Sequence, residues 1–429
     1  MNESLINDNL IINSEGEFTL FHLNNHGEIK YTKYDPSNKP METLILHKNN
    51  ALRYAVTIDN IDNIHLIVLT KLGELSYYIY KNNTWSSAII AKFDLKSNLY
   101  NNIDILKVNE NINIIYNYAN LINSKLWTIQ HVIENKKIWD KQNIASLVLD
   151  KSFAYFHIDI DFFNTIHLLY SSIENNIYQV YHTFYNSYAK KWNPNPQRLS
   201  LSNTNAIFPY LFVDTQDNLH AVWLEKLKMN YKLKYCKLNS KGNEKYLWEQ
   251  KNIPHISNCN SMPIIAEEKG KLKIIYLTNQ DIRSFYSTNY GNTWYEGDTL
   301  EISPSKISIA KVSENLLRSS HIKINHAYCT IDDSLYFYFL NSINQIDIAD
   351  TDSTLIESKE STEPINILDI EEEIIAKLEK ILENQKETKI ILDKTIDSQN
   401  KIEEKLNIIT ETLNREKDSL LNKLFRSSK

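Results

Sequence analysis

A short motif recurs along this chain at intervals of about fifty residues. In each copy a turn residue is followed by Ile or Leu, then by His or another polar residue, and then by an apolar run. The five clear copies begin at Asn63, Asn111, Thr165, Asn218 and Lys271. They are separated by 48, 54, 53 and 53 residues. A period of this length is typical of solenoids and propellers, so it constrains the fold more than any single residue does.

Tryptophan marks the same period independently. Each unit ends in a Trp shortly after a turn, and successive Trp residues are separated by 54, 53, 56 and 46 residues. They are Trp85, Trp139, Trp192, Trp248 and Trp294. Each unit has the pattern of four short strands, and one such sheet cannot bury both of its faces alone. Stacking the units around an axis solves this problem and predicts a β-propeller.

Two fainter copies flank the five clear ones. Segments 17–23 and 29–34 resemble strands of a first unit, and segment 334–340 resembles a strand of a last one. The sequence therefore predicts an all-β propeller over residues 1–340, with seven blades favoured and six as the alternative. We expect a strand at 10–12 to complete the last blade, because closing the ring removes exposed strand edges.

Composition excludes several classes of function. The formal charge of -6, from 47 basic and 53 acidic residues, provides no basic field for nucleic acid. The apolar runs fall short of the ~20 residues of a membrane helix, and the N-terminus carries no Sec-type signal, so we expect cytoplasmic synthesis and no membrane span. Cys236, Cys259 and Cys329 form no CxxC pair, which argues against disulfides and zinc. The Ile, Asn and Lys bias is typical of an AT-rich bacterial genome.

One turn, STNYGNTW, resembles the Asp box SxDxGxTW of sialidase-like β-propellers. Ser287, Gly291, Thr293 and Trp294 match the pattern, and Asn289 replaces its Asp. In that family the box lies on the hairpin between the third and fourth strands of a blade. The resemblance covers the propeller alone. It implies the architecture rather than an activity, because Asp boxes lie away from the catalytic face and also occur in binding proteins.

The same resemblance allows an enzymatic alternative. A sialidase-type site uses three Arg residues to hold the sugar carboxylate, a Tyr nucleophile with a Glu partner, and an acidic proton donor. The propeller region contains four arginines, none in a recognisable family context: Arg53, Arg198, Arg283 and Arg318. We therefore assign no catalytic residue, and a sialidase-like glycoside hydrolase remains the alternative function.

The recurrent His65, His167 and His220 invite a metal-site interpretation, since His is the commonest metal ligand. Equivalent residues of different blades lie around the ring and need not meet. We interpret them as structural markers at the start of each second strand, and we expect neither a metal nor a cofactor.

A linker and a coiled coil are predicted after the propeller. Residues 341–364 are acidic and rich in Ser and Thr. Residues 365–424 then carry a heptad repeat, followed by a short tail at 425–429. The apolar core positions are Ile374, Leu378, Ile381, Leu392, Ile402, Leu406, Ile409, Leu413 and Leu420. Leu at a with Ile at d favours three or four chains, so we expect a homotrimer or homotetramer through 374–420.

These patterns together predict a non-catalytic propeller that is clustered by its coiled coil for avid recognition of a protein or a glycan. The sequence does not select the ligand. A spore or particle surface is one setting in which a clustered binder of this kind would be displayed.

Overall fold

The strands of the chain fall into consecutive groups, and each group forms one antiparallel sheet. The computed structural model describes residues 8–344 apart from residues 36, 136–137, 151–155, 202, 228–229, 242–246, 257–258, 260, 303–306, 317–321 and 332. All of these belong to one unit over residues 1–350. We call each sheet a blade and number the blades along the chain.

The blades have the following strands. Blade 1 contains β1 Asp8–Ile12, β2 Phe18–Leu23, β3 Ile29–Tyr34 and β4 Pro40–His47. Blade 2 contains β5 Ala51–Ile58, β6 Ile64–Thr70, β7 Glu74–Lys81 and β8 Thr84–Lys92. Blade 3 contains β9 Asn98–Val108, β10 Asn111–Asn120, the 3-10 helix η1 Leu121–Asn123, β11 Leu126–Asn135 and β12 Ile138–Val148.

Blade 4 contains β13 Phe156–Ile160, β14 Ile166–Glu174, β15 Ile177–Asn186 and a broken fourth strand, β16 Lys191–Trp192 with β17 Gln197–Arg198. Blade 5 contains β18 Ala206–Val213, β19 Leu219–Leu227, β20 Asn230–Leu238 and β21 Trp248–Gln250. Blade 6 contains β22 Ile264–Glu268, β23 Lys271–Leu277, β24 Asp281–Ser287 and β25 Tyr295–Glu301. The C-terminal elements are β26 Ser308–Glu314, β27 Ile322–Ile324, β28 His326–Ile331, β29 Leu335–Phe337 and α1 Asn341–Asn344.

Asparagine makes many of the turns that these short strands require. Of the fifteen non-Gly residues with a left-handed φ in the described part of the chain, eight are Asn. Asn tolerates this conformation better than other side chains, which explains how a chain with 7 Gly can make so many tight turns. The strands between the turns follow the expected burial, since β6 is buried throughout and the outer β4 is largely exposed.

The hydrophobic core shows that the blades form a ring. Successive clusters of buried side chains join blades 1 and 2, blades 2 and 3, blades 3 and 4, and blades 4 and 5. The largest cluster joins blades 5 and 6, the C-terminal strands and blade 1, through side chains that include Phe212, Ile274 and Leu10. Because this cluster returns to the first blade, the six described blades make a closed ring with the first strand of each blade innermost, which is a β-propeller.

The C-terminal strands close the ring. Strand β26 pairs in parallel with β1, and β27 pairs antiparallel with β22. Strands β28 and β29 extend the pairing, so the sheet of blade 1 has seven strands in the order β29-β28-β26-β1-β2-β3-β4. The inner edge of β1, which would otherwise expose unpaired backbone groups, is thereby satisfied.

The described parts of segment 308–331 contact the first strand of every blade. Backbone pairing connects them to β1 and β22. The contacts to the other four blades are, in blade order, Ser313 with Thr57, Lys311 with Asp104, Lys323 with Asp159, and His326 with Tyr210. A segment that contacts all six innermost strands lies along the axis of the ring. The described parts of the C-terminal segment therefore occupy the centre of the propeller.

The expectation of seven blades is wrong for the described residues, and the alternative of six holds. The strand predicted within 334–340 is β29, which ends the seven-stranded sheet instead of belonging to a separate blade. The strand predicted at 10–12 lies in β1. It pairs with the C-terminal strand β26 and closes the ring as expected, but it does so as the first strand of blade 1 and not within a separate last blade. The sequence revealed the strands but not their pairing, because one faint copy cannot show which edge it joins.

The predicted linker also begins too early. Residues 341–344 form helix α1, in which Ile343 is 1% exposed. The Asn344 side chain accepts a hydrogen bond from the Phe337 N–H at 2.9 Å and donates one to its carbonyl at 2.7 Å. The rest of the linker, the coiled-coil positions from Ile374 to Leu420 and the tail lie outside the described residues. No helix in the described part of the chain is long and apolar enough to cross a membrane.

Candidate functional site

The two ends of the ring carry different loops. We call the turn face the end where the first strand of a blade turns into the second and the third into the fourth, as at 59–63 and 288–294. We call the connection face the opposite end, where one blade is linked to the next, as at 199–205, and where the second strand turns into the third, as at 175–176.

The repeated histidines lie towards the turn face, each beside an Asp six residues earlier in the chain. His65 Nε2 is 3.1 Å from Asp59 Oδ2, and Asp59 Oδ1 accepts the N–H groups of Ile61 and Asn63. The equivalent pairs are His167 with Asp161 at 3.3 Å and His220 with Asp214 at 2.9 Å. Burial alone would raise the pKa of Asp59, but the hydrogen bonds from Asn63 and His65 hold it below its usual value. Each Asp therefore fixes both the turn and the imidazole.

The other nitrogen of each ring meets a side chain of the third strand. His65 Nδ1 is 2.6 Å from the Tyr77 hydroxyl, and His220 Nδ1 is 2.7 Å from that of Tyr235. In blade 4 the partner of His167 is His182, at 3.2 Å. Burial raises the pKa of Tyr77 to about 12, so its hydroxyl does not ionise near neutral pH. The arrangement stabilises the blade rather than activating a nucleophile.

The repeated tryptophans contact neighbouring blades. The rings of four of them lie within 6 Å of a third-strand ring in the preceding blade: Trp85 on Tyr31 at 5.9 Å, Trp192 on His131 at 5.6 Å, Trp248 on His182 at 5.1 Å and Trp294 on Tyr235 at 5.1 Å. Trp139 is the exception, because it is 36% exposed. The period read from the sequence is therefore the spacing of contacts between blades.

The Asp-box-like turn follows the same principle. Ser287 Oγ accepts the Gly291 N–H at 2.9 Å, and Asn289 Oδ1 accepts the Thr293 N–H at 2.9 Å. Asn289 thus supplies the acceptor oxygen of an Asp without its charge. Gly291 has a φ of 79°, and a Cβ there would lie 1.9 Å from the Tyr235 hydroxyl. The turn between β24 and β25 is therefore fitted against blade 5.

Turns of neighbouring blades are also bonded to one another on the turn face. In each case a backbone N–H of one turn donates to a carboxylate of the next blade. The pairs are Ser14 to Asp62 at 3.0 Å, Phe162 to Asp217 at 2.8 Å and Thr215 to Glu267 at 2.7 Å. Within the described residues, no group of three His, Cys, Asp or Glu side chains is placed to hold a metal ion. The repeated polar residues of this face serve the scaffold.

The arginines required by the enzymatic alternative lie apart. Arg53 donates through Nε to the Asn101 carbonyl at 2.7 Å, at the junction of blades 2 and 3. Arg198 pairs with Glu174 in blade 4, and Arg283 pairs with Asp281 in blade 6. Arg318 lies outside the described residues. The three described arginines belong to alternate blades and share no partner in these contacts.

A pocket opens on the connection face between blades 4 and 5. The space open to the centre of a water molecule is about 30 Å³, against the ~10–15 Å³ that one water needs. Blade 4 contributes His157, Ser171 and Tyr178, and β18 of blade 5 with the approach to β22 contributes Ile207, Phe208, Pro209 and Met262. The wall is therefore apolar on the blade 5 side and polar on the blade 4 side.

The polar side of the pocket contains a hydroxyl without a partner. Ser171 is 2% exposed, and its Oγ is buried with no hydrogen bond. A buried polar group in this state costs about 1–3 kcal/mol. Such a group marks a place where water or a ligand completes the bonding.

His157 lies beside this hydroxyl in the wall. Its ring packs against those of Tyr210 and His326, at centroid distances of 5.0 and 5.3 Å. Burial, assisted by the charge of Lys311, lowers the pKa of His157 to about 3, so the ring is neutral. A neutral imidazole offers one donor and one acceptor nitrogen.

The apolar side of the pocket is a strained bulge. The pairing of β18 with β19 shifts between Ile207 and Tyr210, and Phe208 has a φ of 53°. A bulky residue rarely adopts this left-handed conformation, and such strain costs about 1–3 kcal/mol. Bulges of this kind re-aim side chains beside functional sites. The bulge places Phe208 and Pro209 in the pocket wall instead of in a regular ladder.

Sequence reasoning missed this pocket. None of the residues in its wall belongs to the repeat motif, and Ser171 resembles any serine of a strand. One signal was available, since Pro209 follows the apolar pair Ala206–Ile207 and precedes the apolar run 210–213, and Pro is confined to strand edges, strand starts or bulges.

No protein family matches the chain, and no curated protein matches its sequence. Among solved structures, a polysaccharide lyase described as an ulvan lyase is 12% identical with a TM-score of 0.48, over 76% of this chain and 92% of that chain. A lectin from Burkholderia pseudomallei is 9% identical with a TM-score of 0.48, over 71% and 88%. A fucose-recognising lectin from Aleuria aurantia, described as a six-bladed β-propeller, is 12% identical with a TM-score of 0.42, over 69% and 96%. At these identities no residue role transfers to this chain.

Proposed function

We propose that this chain is a non-catalytic β-propeller that binds carbohydrate in the pocket between blades 4 and 5. The observation that carries the proposal is the pairing of an unbonded, buried Ser171 hydroxyl with the apolar wall around Phe208. Ligand sites combine apolar walls with a few convergent polar groups in this way.

The chemistry of the wall favours a sugar over an apolar protein side chain. A Leu or Met side chain would cover the pocket and leave the Ser171 hydroxyl without a partner, which keeps its desolvation cost. A sugar carries hydroxyl groups on an otherwise apolar ring, so it satisfies Ser171 and His157 while it contacts Phe208. A protein ligand remains an outcome of the test below.

The same wall supports a binding role rather than a catalytic one. Neither Ser171 nor His157 has an activating carboxylate among its described contacts, whereas nucleophilic catalysis needs a base that is itself oriented by a third group. The sialidase-like alternative needs three arginines on one carboxylate, and Arg53, Arg198 and Arg283 have separate partners. No specific contact favours that alternative.

Oligomerisation is a second part of the proposal. The heptad positions from Ile374 to Leu420 would join three or four chains. Linked propellers would convert weak binding at single pockets into avid binding of a repetitive glycan surface.

Obstruction of the pocket tests the proposal. The full chain would be screened by ligand-observed NMR against a panel of neutral and acidic sugars, and then compared with Met262→Trp, which places an indole at the partly exposed rim. We expect Met262→Trp to weaken sugar binding more than ten-fold. The matched control is Leu72→Trp, which adds the same indole to an exposed position on the connection face of blade 2.

Thermal unfolding of both variants would verify that they fold. If Met262→Trp does not fold, Ser171→Val takes its place, because it fills part of the pocket from inside and leaves the residue at the rim unchanged. Sugar binding that neither variant weakens, or selective binding of an apolar peptide in place of sugars, contradicts the proposal.

A further inference from the structure

The pocket wall carries three complementary features side by side. Ser171 provides a hydroxyl that is free to donate, and neutral His157 provides a nitrogen that can accept. Ile207, Pro209 and Met262 provide apolar contact. A group that fits all three has one acceptor, one donor and a methyl within a few ångströms of each other.

No charged side chain lines the pocket among the described residues. One acidic group next to the wall is the exposed Asp150, whose Oδ2 accepts the Tyr178 hydroxyl at 2.8 Å. Its other oxygen is 3.7 Å from the exposed Lys125, a distance at which screening leaves little attraction. Lys311 is occupied by its ion pair with Asp104 on the axis. A carboxylate-bearing sugar would therefore meet no cation in the described pocket wall.

The size of the pocket limits what can enter. A space of about 30 Å³ for the centre of a water molecule holds two or three waters. That is room for a substituent of a few heavy atoms but not for a whole sugar ring. The ring then stays at the mouth, where the Phe208 and Tyr178 side chains line the entrance.

We infer that this pocket recognises the acetamido group of a neutral N-acetylhexosamine, an inference that rests on the proposed carbohydrate binding. The acetamido carbonyl accepts from the Ser171 hydroxyl, the amide N–H donates to a ring nitrogen of His157, and the methyl group contacts Ile207 and Met262. The parent hexose offers a hydroxyl in place of this group and leaves the apolar wall uncovered.

The test compares four probes on the full chain by isothermal titration: N-acetylglucosamine, N-acetylgalactosamine, glucose and glucuronic acid. We expect both N-acetyl sugars to bind at least about ten-fold more tightly than glucose, and glucuronic acid to bind no more tightly than glucose. Ser171→Ala should weaken N-acetylglucosamine binding by about two- to ten-fold, as expected for one hydrogen bond, and should weaken glucose binding less.

Ser172→Ala is the matched control. This serine is the next residue on β14, and its Oγ accepts the Val148 N–H instead of lining the pocket. We expect the Ser172→Ala variant to keep the wild-type preference for N-acetyl sugars over glucose. Ser171→Ala removes a buried hydroxyl that has no partner, so its thermal stability should equal or exceed that of the wild type.

The outcomes separate this inference from the proposed function. Sugars that bind and are blocked by Met262→Trp, but without an N-acetyl preference, overturn the acetamido assignment alone. A preference that Ser171→Ala does not reduce overturns it too. If none of the four probes binds and no sugar in the wider panel binds either, the proposed function falls with it.

Discussion

The turn face and the connection face are built from the same six described blades, yet the Asp–His pairs that repeat from blade to blade lie towards one, and the pocket opens on the other. On the turn face, His65 and His220 each have an Asp and a Tyr partner, and the turns of neighbouring blades are bonded to one another. On the connection face, Ser171 is buried with no partner and Phe208 is strained. Repetition marks the scaffold of this chain, and the departures from repetition mark its candidate site.

Acid should weaken the fold strongly without affecting the pocket. Five buried histidines have a pKa below the ordinary value of about 6.5: His65, His131, His157, His182 and His326. Below pH 6.5 these histidines bind protons in the unfolded chain but stay neutral in the folded chain. The free energy of unfolding therefore falls as the pH decreases towards 3. Between pH 7 and pH 5 we expect a loss on the order of 5 kcal/mol, measured by urea unfolding.

Two carboxyl groups act in the opposite direction and reduce this loss. Burial raises the pKa of Glu267 and Glu314, so protonation relieves a cost in the folded state. Sugar binding to the folded chain should stay constant over the same range, because the His157 pKa of about 3 keeps the ring neutral. A stability that does not fall from pH 7 to pH 5, or an affinity that falls with it, contradicts this separation of fold stability from binding at the pocket.

A methyl group at Gly291 should show how tightly the turn face is packed. In Gly291→Ala the new Cβ would lie 1.9 Å from the Tyr235 hydroxyl, at a φ of 79°. We expect a loss of about 3 kcal/mol, from overlap in a packed site and from the left-handed backbone. Chemical denaturation measures the loss.

Gly270→Ala is the control in the same blade. Its φ of 71° is also left-handed, but the nearest atom to a Cβ is the Tyr290 hydroxyl at 3.5 Å. Only the backbone cost of about 1 kcal/mol should remain. Equal losses at the two glycines would show that the fit against blade 5 contributes nothing.

The sequence predicted the features of the fold that repeat. The phased Trp192, Trp248 and Trp294 are contacts between blades, and the Asn-rich turns carry left-handed Asn residues. Repeated contacts leave a period in the sequence, so the propeller was predictable from it.

Features that occur once left no comparable signal. The path of the described parts of segment 308–331 along the axis depends on pairing with β1, some 300 residues earlier in the chain, and nothing local in the sequence encodes it. The unbonded state of Ser171 depends on what surrounds it in three dimensions. The blade number and the pocket therefore required the structure, and the coiled coil from Ile374 to Leu420 stays a prediction.

The most direct test of the account is the face on which ligand binds. Amide hydrogen exchange of the full chain would be measured by mass spectrometry with and without saturating N-acetylglucosamine, or the tightest sugar of the panel. The account predicts protection at 171–178, 206–210 and 261–264 on the connection face, with no change in the turns at 214–218 and 287–294. Protection confined to those turns would contradict it.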